Sequence, residues 1–283
     1  MARRGRWRRR TVLLLALAMV AGAVYTAVAF LQRSETLITE RCTAVGAGGE
    51  DLASDQAANA ALVSAVAVRR GLPARAASIA LATSMQEAKL RNIGHGDQAG
   101  PDSRGLFQQR PSQGWGTEAQ VMDPFHAANA FYDALVKVPG YESMPITAAA
   151  QHVQRSAYPG AYAQHEPMAR AFASALTGQT AEGLDCTLRK PETAGDAAEV
   201  RQRLLAAFGA LPATAAGRTV VAEADGTQAW AVAQWAVANA KALSITEVRV
   251  DGRSWTRLAR NGWQSADAPA GQVTITVAEE PAP

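Results

Sequence analysis

Glu87 is a carboxyl whose position, at the end of an apolar helix and directly before a Gly-rich loop, could serve acid–base chemistry. It closes an apolar pattern in which Ile79, Ala82, Met85 and Leu90 recur at helical spacing, and the stretch that follows, 93–116, holds six Gly and two Pro. A carboxyl at the end of a rigid helix, just before a long irregular loop, can face a groove and act as a general acid or base. Thr83 and Ser84 lie one turn below it and Ala80 two turns below, so small side chains line its face and leave room for a ligand. On position alone, the competing reading is an ordinary solvated Glu. The loop supplies further groups: the carboxylates Asp97 and Asp102, and Gln108 and Gln109 as amides that bind carbonyls or cap a neighbouring helix. Trp115, between two Gly, is either a stacking face or a packed turn, and Tyr158 and Tyr162, on residue type alone, read as buried aromatics with a satisfied hydroxyl. His95, His126, His152 and His165 show no recognised ligand spacing, so no metal site and no cofactor is expected.

The elements that position these groups can be traced from hydrophobic spacing. Asp51–Arg70 predicts an Ala-rich helix ended by Gly71, with Pro73 opening the next, which runs to about Asn92. Helical patterns resume at Pro124–Lys137, Thr147–Ala157 and Glu166–Leu176, giving an all-α domain that ends near Cys186. Residues 187–198 are polar, contain Pro191 and Gly195, and predict a linker. Beyond it the pattern changes: a helix at Glu199–Phe208, β-leaning residues 217–224, a helix at Ala229–Leu243, then TEVRV (246–250) and QVTITV (272–277) in alternation. This predicts a small α/β domain over 199–283.

Charge and hydropathy are lopsided. Seven Arg and no Asp or Glu occupy the first 33 residues, which leaves a net charge of −4 over positions 34–283. The basic pI belongs to that tail, so no nucleic-acid surface is expected. Residues 11–31 carry no charge and as a helix would span about 31 Å, enough for one transmembrane crossing with the Arg-rich end in the cytoplasm. The alternative is a cleaved signal peptide, for which AGA (21–23) and AVA (27–29) offer small-residue sites, although the run is long for one. Either way the bulk is exported, and a single span excludes a multi-helix channel or transporter. Export permits a disulfide between Cys42 and Cys186, which bracket the helical stretch; two free thiols are the alternative.

The pair of blocks MQEAKLRN (85–92) and DSRGLFQQRPSQGWG (102–116) resembles the lysozyme-like fold of soluble lytic transglycosylases and goose-type lysozymes. There a helix ends in Q-E-S-x-F and a loop delivers G-L-M-Q before a Pro. Gln86-Glu87 matches the first block and Gly105-Leu106-Phe107-Gln108 the second, with Phe in place of Met; AYPG (157–160) is the nearest match to a third block, Ala-Tyr-Asn-Ala-Gly. The departures are Ala88 for Ser and Pro159 for Asn. The resemblance covers roughly 42–186, and the string GLFQQRPSQGWG looks like membrane-anchored proteins of high-GC Gram-positive bacteria.

What the resemblance implies is cleavage of peptidoglycan glycan strands. Glu87, its pKa raised by a partly apolar groove, would protonate the glycosidic oxygen, with Tyr158 as its hydrogen-bond partner and Tyr162 as the runner-up. A lytic transglycosylase needs no second carboxylate, because the sugar's acetamido group stabilises the cation and the same Glu then takes the C6 hydroxyl proton. A hydrolase would call on Asp97 or Asp102 to position water. Phe107, Gln108, Gln109, Trp115 and Tyr162 are the expected substrate-binding residues, with Trp115 stacking on a sugar ring. Residues 216–255 faintly resemble the zinc D-alanyl-D-alanine carboxypeptidase and hedgehog-like fold, but every His precedes position 166, so its ligand set cannot be assembled.

The fold class expected is therefore α + α/β: a basic tail and transmembrane helix (1–33), an all-α lysozyme-like domain (34–186), a linker (187–198) and a small α/β domain (199–283). The expected partners are glycan strands, the membrane through one helix, and a cell-wall protein docking on the C-terminal domain. The competing function is a non-catalytic wall-binding scaffold. The location expected is the cell membrane, single-pass, with the bulk outside.

Overall fold

In a computed structural model, residues 15–26, 35–96, 98, 100–156 and 160–280 are described. The chain divides into two units, Met1–Thr39 and Glu40–Pro283. In the first, residues 15–26 form a helix, α1, followed by a 3-10 turn at Glu35–Leu37. No helix among the described residues is long and apolar enough to cross a membrane, so the transmembrane helix expected from the charge-free run is not supported. The rest of that run, 11–14 and 27–31, lies outside the described residues.

The second unit runs in chain order β1 (Arg41–Ala44), β2 (Asp51–Leu52), α2 (Ser54–Arg69), α3 (Ala74–Ala88), α4 (Glu118–Met122), α5 (Pro124–Leu135), α6 (Ile146–Gln154), α7 (Glu166–Leu176), β3 (Leu184–Thr187), α8 (Ala197–Phe208), β4 (Ala213–Ala216), β5 (Thr219–Glu223), α9 (Gly226–Ala238), β6 (Ile245–Val250), β7 (Arg253–Thr256), β8 (Trp263–Ser265) and β9 (Gln272–Val277). Two sheets result, ordered β2-β1-β3 and β4-β5-β9-β6-β7-β8, and every pairing in them is antiparallel. The class is α+β. The expected α/β domain is corrected because its strands return as hairpins and reversed neighbours, with no parallel crossover. The helical part is likewise not all-α: β1 and β3, from its two ends, pair in a sheet. Strands of two to four residues are too short to show an alternation that sequence can register.

That small sheet carries the disulfide. Cys42 and Cys186 sit directly opposite each other in the β1–β3 register, their Cα atoms 4.0 Å apart, and are bonded. Around it the core is built from Ala-rich helices. α2 buries Ala57, Ala60, Ala61, Val63 and Val66, and α3 buries Ala76, Ala77, Ile79, Ala80 and Leu81. Small side chains let helix axes approach closely and cost little rotamer entropy on burial. α2 touches α3, α5, α7, α8 and α9, and α3 touches α5, α6 and α7, so the helix that ends at Glu87 is held from several sides. α9 is buried nearly all round, Trp230 and Trp235 included, as expected of a helix without a polar face. It lies on β3, β6 and β9 and also against α2 and α7.

Candidate active-site groove

Glu87 sits one residue before the end of α3. The helix stops there because Lys89 and Leu90 both adopt left-handed backbone with φ of 53°, and the Lys89 and Leu90 amides bond back to the Met85 and Ser84 carbonyls. Side chains of α2 then hold the turn. Gln56 Nε2 donates to the Lys89 carbonyl at 2.9 Å, Asn59 Nδ2 to the Leu90 carbonyl at 2.7 Å, and Arg91 pairs with Asp55 at 2.7 Å. These three α2 residues were not expected to matter. Their only mark in the sequence is that they are polar, within one turn, in an otherwise Ala-rich helix.

The loop after α3 folds back as a tight hairpin. Arg104 and Gln109 exchange backbone hydrogen bonds at 3.0 and 2.9 Å, and Gly105 N donates to the Ile93 carbonyl at 2.8 Å. Gly105 is required here twice over, by its φ of +78° and because a Cβ would lie 2.2 Å from the Val121 carbonyl oxygen. Leu106 and Phe107 turn inward and are fully buried, with Phe107 stacked on Phe131 at 4.7 Å between ring centroids. The hairpin carbonyls are caught by neighbouring helices: Ser84 Oγ donates to Leu106 O at 2.9 Å and Gln154 Nε2 to Phe107 O at 2.8 Å. Thr83 and Ser84 are fully buried. The space their small side chains were expected to leave for a ligand is taken up by the fold itself.

The predicted residues separate accordingly. Glu87, Gln108 and Trp115 line one groove of about 630 Å³, together with Gln86, Ser103, Arg110, Gln154 and Arg155 among others. Phe107 is a core anchor instead of a substrate contact. Gln109 is buried too, its Nε2 donating to the Ala127 carbonyl of α5 at 3.0 Å, so it fastens the hairpin to the core. Asp102 is engaged on both oxygens, Oδ1 with Arg110 Nε at 2.8 Å and Oδ2 with the Ser112 amide at 3.1 Å, and does not line the groove. Its hydrogen bonds to Ser112, assisted by Arg110, hold its pKa far below the usual carboxylate range. Among the described lining residues, Glu87 is the one carboxylate. Asp97 and Tyr158 lie outside the described residues.

Tyr162 reaches the site from beyond α6. Its ring is fully buried, and its hydroxyl donates to Glu87 Oε1 at 2.7 Å. Burial, followed by the Glu87 charge and hydrogen bond, raises its pKa well above 10.0, with a Ser156 hydrogen bond acting the other way. The phenol therefore keeps its proton throughout the ordinary pH range. Beside it, His165 Nε2 and Gln164 Nε2 lie 3.0 and 3.1 Å from Gln86 Oε1, and burial, then the Lys89 charge, lowers the His165 pKa. A neutral imidazole donating from Nε2 fits that contact. Gln164 was not singled out from the sequence and His165 only as a His without ligand spacing, since a contact across 79 positions leaves no local trace.

Glu87 is half-buried, open to the groove on one side and hydrogen-bonded to a phenol on the other. A tyrosine hydroxyl can donate to a carboxylate and accept from a carboxylic acid, so the pair can hold either protonation state of Glu87 in one orientation. Among the described residues, no group of three or more His, Cys, Asp and Glu side chains could hold a metal ion. The chain matches no protein-family model and no curated protein.

Proposed function

We propose that this protein cleaves peptidoglycan glycan strands in the manner of a lytic transglycosylase or lysozyme, with Glu87 as general acid and then general base. The observation that carries the reading is the half-buried Glu87 in a groove with the Tyr162 hydroxyl 2.7 Å from its Oε1. In the first step, protonated Glu87 donates to the glycosidic oxygen, and the leaving sugar departs as an alcohol. Tyr162 then donates to the carboxylate so formed, which keeps it aimed at the reacting carbon. In the second step the carboxylate takes a proton from the group that attacks this carbon. That group is the sugar's own C6 hydroxyl, giving a 1,6-anhydro product, or a water; Asp102, with both oxygens engaged outside the groove, does not supply the carboxylate that would position the water, and the acetamido-assisted route needs none. The Cys42–Cys186 disulfide supports an oxidising compartment outside the cytoplasm, where this substrate lies.

The test is to incubate the full chain, disulfide formed, with purified peptidoglycan beside Glu87→Gln and to identify released muropeptides by mass spectrometry. Anhydro-muropeptides from the parent protein alone are the expected result. Reducing-end products would keep Glu87 as the acid but overturn the intramolecular step. No release, with both proteins folded and sedimenting with the wall, would refute cleavage and leave a wall-binding scaffold.

A further inference from the structure

The groove does not end at Trp115. Gln113, Trp115, Gln154 and Arg155 line both the Glu87 groove and a second hollow of about 700 Å³, which adds Lys137 and His152. His152 and Arg155 line a third hollow of about 650 Å³ beyond it. Neither extension has an Asp or Glu among its described lining residues. Lys137 and Arg155 are exposed and make no ion pair or side-chain hydrogen bond among the described residues. The other Arg of the groove, Arg110, is already held by Asp102. This is an open basic arm on a stretch, 34–283, whose net charge is −4.

Helix ends account for part of it. Lys137 follows the C-terminus of α5, and Arg155 caps that of α6 with φ of 52°. Each helix end contributes only about half a negative charge, so two full cations leave the arm net positive. Two cations and a His are also too few and too local for a track along a polyanion. They suit a short acidic branch carried on the strand in the Glu87 groove, because the arm shares its walls with that groove.

We infer that the Lys137–His152–Arg155 arm binds the carboxylates of the peptide stem attached to the glycan strand, and so makes the protein select stem-bearing strands over bare ones. The inference rests on the peptidoglycan reading above, but on binding and not on cleavage. Its test therefore uses full-length Glu87→Gln protein, which is expected to bind without cutting. Glycan strands with intact stems and strands stripped of stems by an amidase are compared, both freed of phosphate-bearing wall polymers, so that no phosphate contributes.

Two exposed charge contacts predict about tenfold tighter binding of the stem-bearing strands, falling to about twofold or less in Lys137→Ala/Arg155→Ala and shrinking with added salt. Equal binding of the two strands by the parent, or a preference that survives the double substitution, would overturn it. So would a preference that returns only when phosphate polymer is restored. If the parent selects stem-bearing strands while wild-type protein releases no muropeptide, the arm stands and the cleavage reading falls. Circular dichroism of the double variant, both of whose sites are exposed, checks that the fold is kept.

Discussion

Tyr162→Phe is the substitution that most directly tests the proposed chemistry. It removes one oxygen and keeps a ring that is fully buried, so packing is preserved and stability should fall by no more than the one hydrogen bond contributes. What is lost is a 2.7 Å hydrogen bond from a neutral donor to a carboxylate. Such bonds contribute about 1.5–3 kcal/mol, or roughly 10- to 150-fold in rate if the whole bond acts in the transition state. Glu87 is only half-buried and the groove is open, so water can replace the phenol in part; the lower end, about tenfold, is the expected fall. The loss should appear in kcat with KM nearly unchanged, because the bond orients the acid and does not touch the sugar. The assay is the initial rate of muropeptide release against substrate concentration, with thermal unfolding beside it. A kcat within twofold of the parent, or a change confined to KM, would refute the role given to Tyr162. A second signature is available at high pH. The folded-state pKa of Tyr162 is raised, so its stabilisation is fully present below about 10 and is lost as pH rises through the folded value. The Phe variant should lack that alkaline component.

Two further outcomes follow from the loop and the sheet. Asp102 has a depressed pKa, so the stability it gives the hairpin is present above its ordinary value of 3.8 and is lost as pH falls below it toward the folded value; the protection of the Ser112 amide, its exchange rate taken relative to an unprotected amide at the same pH, should fall on strong acidification, and Asp102→Asn should show lowered protection already at neutral pH. The Cys42–Cys186 bond spans 144 positions, and loop-closure entropy sets an upper bound near 5 kcal/mol, so Cys42→Ala/Cys186→Ala should lose about 2–5 kcal/mol by urea titration; a midpoint unchanged from the oxidised parent would show that the β1–β3 pairing alone closes the loop.

How far the fold is legible in the sequence depends on the range over which each signal is written. The helix expected at Glu166–Leu176 and the strand at 272–277 have the bounds found, because their periodicity is local and complete. α3 is shorter than expected, ending at Ala88 where the apolar spacing continued to Leu90. Two left-handed residues without glycine broke the helix, a signal that no propensity carries. β1 and β2 lie close to where a helix was expected to begin at Asp51, and β3 where a linker was expected to begin, because strands this short carry no alternation and the β1–β3 pairing joins positions more than a hundred apart. The charge-free run at 11–31 is the expectation that fails: no helix among the described residues is long and apolar enough to cross a membrane, and 11–14 and 27–31 lie outside those residues.

The site divides along the same line. The place of Glu87 follows from one helix and one loop, so it can be read from spacing. Which polar side chains face the groove cannot, because that is decided by the hairpin at 104–109: once Gly105 takes positive φ, Leu106 and Phe107 go inward and Gln108 is left beside Glu87 while Gln109 is buried. Tyr162, 75 positions from Glu87, is brought to it by α6 and α7 and by what holds α7 in place. That support comes from the C-terminal part of the chain. Gln234 on α9 donates to the Ala175 carbonyl at the end of α7 at 2.7 Å, and Trp255 and Trp263 donate to Asp185 and Leu184 of β3 at 2.8 and 2.9 Å, beside the disulfide. Trp230, Trp235, Trp255 and Trp263 are all buried. α9 backs α2 and α7, α7 packs on α3, and α3 carries Glu87. The C-terminal residues thus act on the groove through the helices that aim its carboxyl, which requires no ligand of their own.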